Sequence, residues 1–264
     1  MRRRLAVPKP VSPRPCEFRF YEELNDYLPP DQQKRTVTRA ITGTPSVKDA
    51  IESFGVPHTE IDLILVDGRS VRFERKLRGG ERVAVYPEFE RFDIAPLHRL
   101  RPRPLRESRF VADVHLGTLA RYLRLLGFDT RYGNDLDDAE LARVTSRERR
   151  MLLTRDVGLL KRKAVVRGQW LRSRDPERQL EEVVHALDLR RAFRPFTRCM
   201  TCNGSLAAVA RADAAGLVPP RVYRRFRSFK QCADCKRVYW RGTHFLRLQR
   251  LVRRMRRPAR RGTC

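Results

Sequence analysis

The chain has 264 residues, 41% of them apolar, with 13 Phe, 7 Tyr and 2 Trp; this is enough for two compact domains or one large one and excludes a disordered or fibrous protein. Its 58 Lys+Arg against 31 Asp+Glu leave a formal charge of +27, and arginine, whose planar fork suits phosphate, dominates, so a nucleic acid is the first partner to consider. No apolar run approaches the roughly 18 residues of a membrane span, so no membrane partner is expected.

The opening MRRRLAVPKPVSPRP is basic, lacks the apolar core of a signal peptide and holds four prolines in fifteen residues, which prevents an amphipathic transit helix. Residues 1–15 therefore read as a disordered basic arm. From residue 16 to 94 the chain is mildly acidic, with 12 basic and 15 acidic side chains. EFRFYEEL predicts a strand, SVKDAIESFG a short helix with Ser46 as N-cap and Gly55 beyond its end, IDLILVDGRSV a hairpin through Asp67-Gly68, and ERVAVYPEF a last strand. With one further strand before the helix, the order is strand, strand, helix, strand, strand, the layout of a β-grasp.

The segment SVKDAIESFGVPHTEIDLILVDGRSV, followed by RGGERVAVYPEFE, resembles the ubiquitin-like, ThiS/MoaD-type domain found at the front of some nuclease-like proteins. A sulfur carrier of that fold needs a free C-terminal Gly-Gly. Here Gly79-Gly80 precede a strand and the chain runs on for well over a hundred residues, so the pair reads as a turn. The domain then reads as an accessory or docking module with a protein partner, since fold alone does not carry function. A sulfur-transfer accessory is the more distant reading.

APLHRLRPRPLRES, residues 95–108, has three prolines and four arginines and suits an extended linker. Beyond it charge changes sign. Residues 109–264 hold 37 basic and 15 acidic side chains, a net of +22. RFVAD predicts a short strand ending in Asp113, and Leu116, Leu119, Ala120 and Leu123 form the apolar stripe of a helix closed by Gly127. FDTRYG is a second strand. LDDAELARV opens a helix with Asp137 and Glu140 spaced as a capping box, and RMLLTRD is a third strand ending in Asp156. The pattern βαβαβ predicts a parallel sheet with helices on its faces, whose ligands bind beyond the carboxyl ends of the strands.

Asp113 and Asp156 both fall at such ends. Carboxylates brought together repel unless a divalent cation neutralises them, and the same cation serves phosphodiester hydrolysis. Mg²⁺ or Mn²⁺ is therefore the catalytic cofactor that these acids suggest, with Arg155, Lys161 and Arg162 beside them to hold a polyanion. An aspartate at a strand end is also a common cap, and Asp156 reads equally as the cap of a segment starting at Val157.

FVADVHLGTLARYLRLLGFDT, LLTRDVGLLKR, two cysteine pairs and VYWRGTH together resemble the PIN-like RNase family named for the C-terminal domain of the Mut-seven exonuclease protein, in order over about 140 residues. The resemblance implies a PIN-like fold, an acidic metal centre and action on RNA. Asp113 matches the acid after the first strand and Asp156 the acid of the TRD motif. For the middle acid Asp138 is chosen, with Asp135 as a possible additional acid and Asp137 left as the cap. Where many such domains carry a further acid just after the last motif, this chain has Val157 and Gly158.

RCMTCNGS and KQCADCKRVYWRGTH space Cys199, Cys202, Cys232 and Cys235 as two C-x-x-C pairs 29 residues apart. Each pair can aim two thiolates at one tetrahedral, structural Zn²⁺, which suits a cytoplasmic chain better than a disulfide framework does. Aromatic and basic residues interleave around them. Arg224, Arg225, Trp240, Arg241 and His244 are candidates for RNA contact, whereas Phe226, Phe229 and Tyr239 read equally as the ribbon's small core. RLQRLVRRMRRPARRGTC has eight arginines and no acid, and reads as a nucleic-acid arm or a basic helix.

The sequence thus predicts an α/β protein: a β-grasp domain of the α+β type (16–94), a linker (95–108), a PIN-like parallel sheet with flanking helices (109–196), a zinc ribbon (197–245) and a basic tail (246–264). The expected activity is that of a metal-dependent ribonuclease. The alternative is a non-catalytic RNA-binding protein that kept the fold.

Overall fold

A computed structural model of the chain describes residues 14–87 and 108–257. The arm up to residue 13, the Pro/Arg linker up to residue 107 and the end of the tail from residue 258 lie outside the described residues. The chain divides into two compact units, residues 1–104 and 105–264.

In the first unit, β1 (Pro15–Phe20), β2 (Thr36–Ala40), α1 (Val47–Glu52), β3 (Leu63–Val66), β4 (Arg69–Ser70) and β5 (Arg82–Tyr86) follow in chain order. The sheet order is β2-β1-β5-β3-β4, with first and last long strands parallel at its centre and every other pair antiparallel. This is the β-grasp layout. Alternation along β1 buries Cys16, Phe18 and Phe20, which meet Ile51 and Phe54 from the helix and its end in one core. Ser46 starts α1 as a full capping box with Asp49. Gly79 and Gly80 both take positive φ, +92° and +94°, in the bend before β5, a backbone state that glycine enters without a Cβ penalty.

The second unit opens with β6 (Arg109–Ala112), α2 (Gly117–Leu126), β7 (Asp129–Arg131), α3 (Asp138–Glu148), β8 (Met151–Thr154), α4 (Val157–Leu160), β9 (Gly168–Trp170) and α5 (Pro176–Ala186). Four strands pair in the order β7-β6-β8-β9, all parallel. One face of the sheet carries Phe110, Ala112 and Leu153 against α2 and α5. The other carries Val111 and Leu152 against α3 and α4, so the strands are buried on both faces, as a wholly parallel sheet requires.

A three-stranded antiparallel ribbon follows, β10 (Leu206–Val209), with α6 (Pro220–Arg225) inserted before β11 (Phe229–Cys232) and β12 (Val238–Trp240). The last element is α7 (Thr243–Arg256). Of the two readings of the basic tail, arm or helix, the helix forms as far as Arg256, and it begins within the segment assigned to the ribbon. Leu248, Leu251, Val252 and Met255 line one side of it and join the core built on Phe110 and Leu153. The arginines Arg247, Arg250 and Arg253 fall on the opposite side and are exposed.

Candidate functional site: an acidic strand edge and a four-cysteine centre

The acidic site is built by register. Ala112 pairs with Leu153, and the Asp113 N–H continues the ladder to the Leu153 carbonyl at 3.0 Å, so Asp113 lies beside Thr154 at the carboxyl ends of β6 and β8. Asp113 is 8% exposed and Thr154 fully buried. The Thr154 hydroxyl donates to Asp113 Oδ2 at 2.7 Å and accepts the Asp156 N–H at 2.9 Å. One hydroxyl thus orients the first acid and fixes the backbone of the second.

Both acids also act as caps. Asp113 Oδ1 accepts a long 3.4 Å bond from the His115 N–H, and Asp156 Oδ1 accepts from the Gly158 N–H at 2.7 Å at the start of α4. The cap reading of Asp156 is therefore realised, and a cap does not exhaust a carboxylate with about four lone-pair positions. Asp137 caps α3 through the Glu140 N–H at 2.7 Å, but the expected capping box is only half formed, because the Glu140 side chain pairs with Arg143 at 2.9 Å. Asp138, one residue on, is exposed and pairs with Arg162 at 3.0 Å. Asp135 is exposed in the loop before α3. Among the described residues these acids do not form a group of three within mutual ligand distance; Asp113 and Asp156 are joined through Thr154, while Asp138 is joined to the basic segment after α4.

Arg155 and Arg162 are exposed and Lys161 is half-buried; Arg155 directly precedes Asp156, and Arg162 pairs with Asp138. Tyr132 fixes the turn after Asp113 by donating its hydroxyl to the Val114 carbonyl at 2.9 Å. A Cβ at Gly117 would meet that hydroxyl at 2.7 Å, so the close approach requires the glycine.

The four cysteines converge. Their sulfurs lie within 4.8 Å of one another, with Cys199 to Cys235 at 3.7 Å and Cys202 to Cys232 at 3.4 Å. Tetrahedral Zn–S bonds place sulfurs roughly 3.8 Å apart, so the set fits zinc. Burial opposes ionisation of Cys199, but the Tyr239 hydroxyl at 3.0 Å and the backbone N–H groups of Cys202 and Thr201 outweigh it and hold the thiol at about 6. Tyr239 thus serves the sulfur rather than a base. Phe229 is the ribbon's buried centre, with Tyr223, Phe226 and Trp240 packed against it, so Trp240 is half-buried in the ribbon. Arg224, Arg225, Arg241 and His244 are exposed.

Two contacts that spacing does not suggest fasten the cysteine loop to the parallel sheet. Arg124 of α2, 3% exposed, donates to the Thr130 carbonyl at 2.9 Å and to the Met200 and Thr201 carbonyls at 3.2 and 2.7 Å. Asn203 accepts from the Thr130 N–H at 3.0 Å and donates to Asp129 Oδ1 at 2.8 Å. Apart from the Arg124 bond to Thr130, these contacts join groups more than seventy residues apart, and the one available signal is an arginine within the apolar stripe of α2.

Residues 108–252, more than half the chain, match the family described as Mut7-C RNAse domain, and residues 14–93 match Mut7-C ubiquitin. No match is found among curated proteins or among solved structures.

Proposed function

Because the chain belongs to the Mut7-C RNAse domain family, we propose that it is a metal-dependent ribonuclease that hydrolyses RNA phosphodiester bonds at the edge formed by Asp113, Thr154 and Asp156. The observation that carries the reading is the Thr154 hydroxyl, which draws two carboxylate-bearing strand ends into one fixed arrangement where parallel sheets bind ligands. Asp113 and Asp156 are the residues that would hold the cation: hard carboxylate oxygens suit Mg²⁺ or Mn²⁺, and each acid keeps lone pairs beyond those its caps use. Asp138 is the third candidate, with Asp135 behind it. When bound, the cation supplies an activated water and charge stabilisation at the phosphate oxygens.

The protein's own part is positioning. Asp113 is held by Thr154, and Arg155, Lys161 and Arg162 give a cationic rim that draws the RNA backbone in. Arg162 is paired with Asp138, so it balances that carboxylate. The cysteine centre would hold a closed structural zinc with no position for substrate. The ubiquitin-like unit fits a protein-docking role, and reduced cysteine pairs fit a cytoplasmic setting.

The second reading, a non-catalytic RNA-binding protein, is favoured by one observation: Asp156 serves as a cap and Asp138 as an ion-pair partner, so two of the three chosen acids already have another role. Cleavage of structured and single-stranded RNAs in Mn²⁺, Mg²⁺ and EDTA separates the two, with Asp113→Asn and Asp156→Asn as controls. Asparagine preserves shape and capping but removes the charge that offsets the cation, so folded, RNA-binding, inactive variants are expected. A wild type that binds RNA and cleaves it in no divalent ion establishes the second reading.

A further inference from the structure

Trp170 ends β9 in register with Thr154, and Thr154 is beside Asp113. Asp113, Thr154 and Trp170 therefore form a row across three neighbouring strands at their carboxyl ends. They share a face: Val111, Leu152 and Trp170 all pack in the apolar cluster beneath α3 and α4, and strand alternation places Asp113 and Thr154, two residues beyond Val111 and Leu152, on that same side. Two strand spacings, about 10 Å, separate the tryptophan from the first acid.

The indole is tied to the acidic turn itself, since its Nε1–H donates to the Arg155 carbonyl at 3.3 Å. Its ring packs on the cluster yet remains half-exposed, and the Arg172 guanidinium stands 5.1 Å from the ring centroid. Arg172 and Arg155 are both exposed. An aromatic ring with one guanidinium over it, hydrogen-bonded to the backbone of a turn that carries a second exposed arginine, is chemistry that receives an unpaired nucleobase: the ring or the stacked guanidinium plane takes the base, and the arginine of the turn supplies charge for a phosphate.

We infer that Trp170, with Arg172 and Arg155, forms a base-stacking subsite that holds one unpaired RNA nucleotide next to the Asp113–Asp156 edge. The inference rests on the ribonuclease reading for its substrate. It adds that RNA enters this edge single-stranded, because a base paired within a duplex has no free face for the indole. It also identifies a residue that grips the base, in contrast to the cations of the rim, which grip the backbone.

The test is binding in EDTA, where cleavage plays no part. The chain has 2 Trp, so protein labelled with fluorotryptophan gives two ¹⁹F resonances, and Trp170→Phe assigns the one from this site. A short single-stranded oligoribonucleotide should shift the Trp170 resonance, whereas an abasic backbone of equal length and a blunt RNA duplex should leave it in place. Trp170→Ala should weaken single-strand binding on the order of tenfold to a hundredfold with an unchanged salt slope, since no phosphate contact is lost. Trp170→Tyr should restore most of the affinity. Because Trp170 also packs on the core, Arg172→Ala serves as the surface variant and should weaken single-strand binding while leaving the melting temperature unchanged.

A Trp170 resonance that ignores a bound oligoribonucleotide, or that responds equally to the abasic strand, overturns the subsite and leaves the ribonuclease reading intact. A resonance that shifts as expected in a protein that never cleaves RNA supports the subsite and overturns hydrolysis instead. Failure to bind any RNA overturns both.

Discussion

The Thr154 hydroxyl donates to Asp113 Oδ2 across 2.7 Å inside a fully buried position, joining the ends of β6 and β8. Thr154→Val keeps the volume but leaves a carboxylate oxygen and the Asp156 N–H without their partner. A loss of about 1–3 kcal/mol of stability is expected, together with a fall in Mn²⁺-dependent cleavage per folded molecule, and Thr154→Ser should recover both. Thermal melting and cleavage on the same three proteins check it; a valine variant with wild-type specific activity removes the hydroxyl from any role in positioning.

Zinc should be present at about one per chain and be needed for the second unit to fold. Cys202→Ser or Cys235→Ser, changing sulfurs at exposed positions, should lose the metal and broaden or abolish the melting transition. Elemental analysis with melting in a chelator measures this. An intact protein without zinc, its pairs oxidised, contradicts it.

Arg124→Met should cost roughly 3 kcal/mol or more, because three backbone carbonyls lose a charged donor in a buried place. The signature that sets it apart from a generic core defect is faster zinc release to a chelator, since two of those carbonyls belong to the cysteine loop. Unchanged release kinetics would mean that the arginine supports α2 alone.

Acid stability should depend on Asp129. Burial opposes its charge, but the forked Arg150 guanidinium at 2.8 and 3.3 Å and the Asn203 amide outweigh it and hold the carboxyl at about 2. The folded value lies below the unfolded one, so the contribution is present above pH 4 and lost as pH falls from about 4 to 2. A depression of that size corresponds to on the order of 2 kcal/mol. Asp129→Asn should flatten the acid limb of melting temperature against pH in that window; an unaltered limb assigns the acid transition to other carboxylates, Glu148 first, which its neighbour Arg150 also holds low.

Replacing Arg247, Arg250 and Arg253 with glutamine should weaken metal-free RNA binding evenly across sequences and lower the salt slope by about 0.7 per lost contact with single strands. The melting temperature should hold, because these side chains point away from the buried stripe of α7. Removing residues 243–264 is a different experiment, expected to unfold the unit by exposing Leu248, Leu251, Val252 and Met255. An unchanged slope in the glutamine variant would free the helix of any nucleic-acid role.

Local chemistry made much of this readable in advance. Ser46 before a helical period, Gly127 after one, Asp67-Gly68 between two apolar runs and the paired C-x-x-C motifs each act within a few residues, and each does in the structure what its chemistry implies. The unread elements are those that tertiary packing decides. β9 is three residues long and carries no alternation; α5, by contrast, is announced by Asp175 and Pro176 at its start and by Leu180, Val183, Val184 and Leu187 at helical spacing. In α7 the apolar positions recur at helical spacing, but arginine so fills the intervening places that composition masks the stripe. At the site, the acids at strand ends were legible, whereas the Thr154 bridge, the Arg162 pairing of Asp138 and the Arg124 clamp are contacts between segments far apart in sequence.

The placement of α7 has a consequence in time. The first unit closes on itself when β5 pairs with β1, so every strand of its sheet precedes the second unit in the chain. The second unit cannot close early: the core around Phe110 waits for Leu248 and Met255, and the cysteine loop that holds β7 waits for Cys232 and Cys235. Its parallel strands therefore stay incompletely covered until α7 has been made, a period in which apolar surface and strand edges are exposed to other chains. A protein cut short before α7 is left with a folded front and an aggregation-prone rear, so the acidic edge can be assembled only in chains translated past Met255.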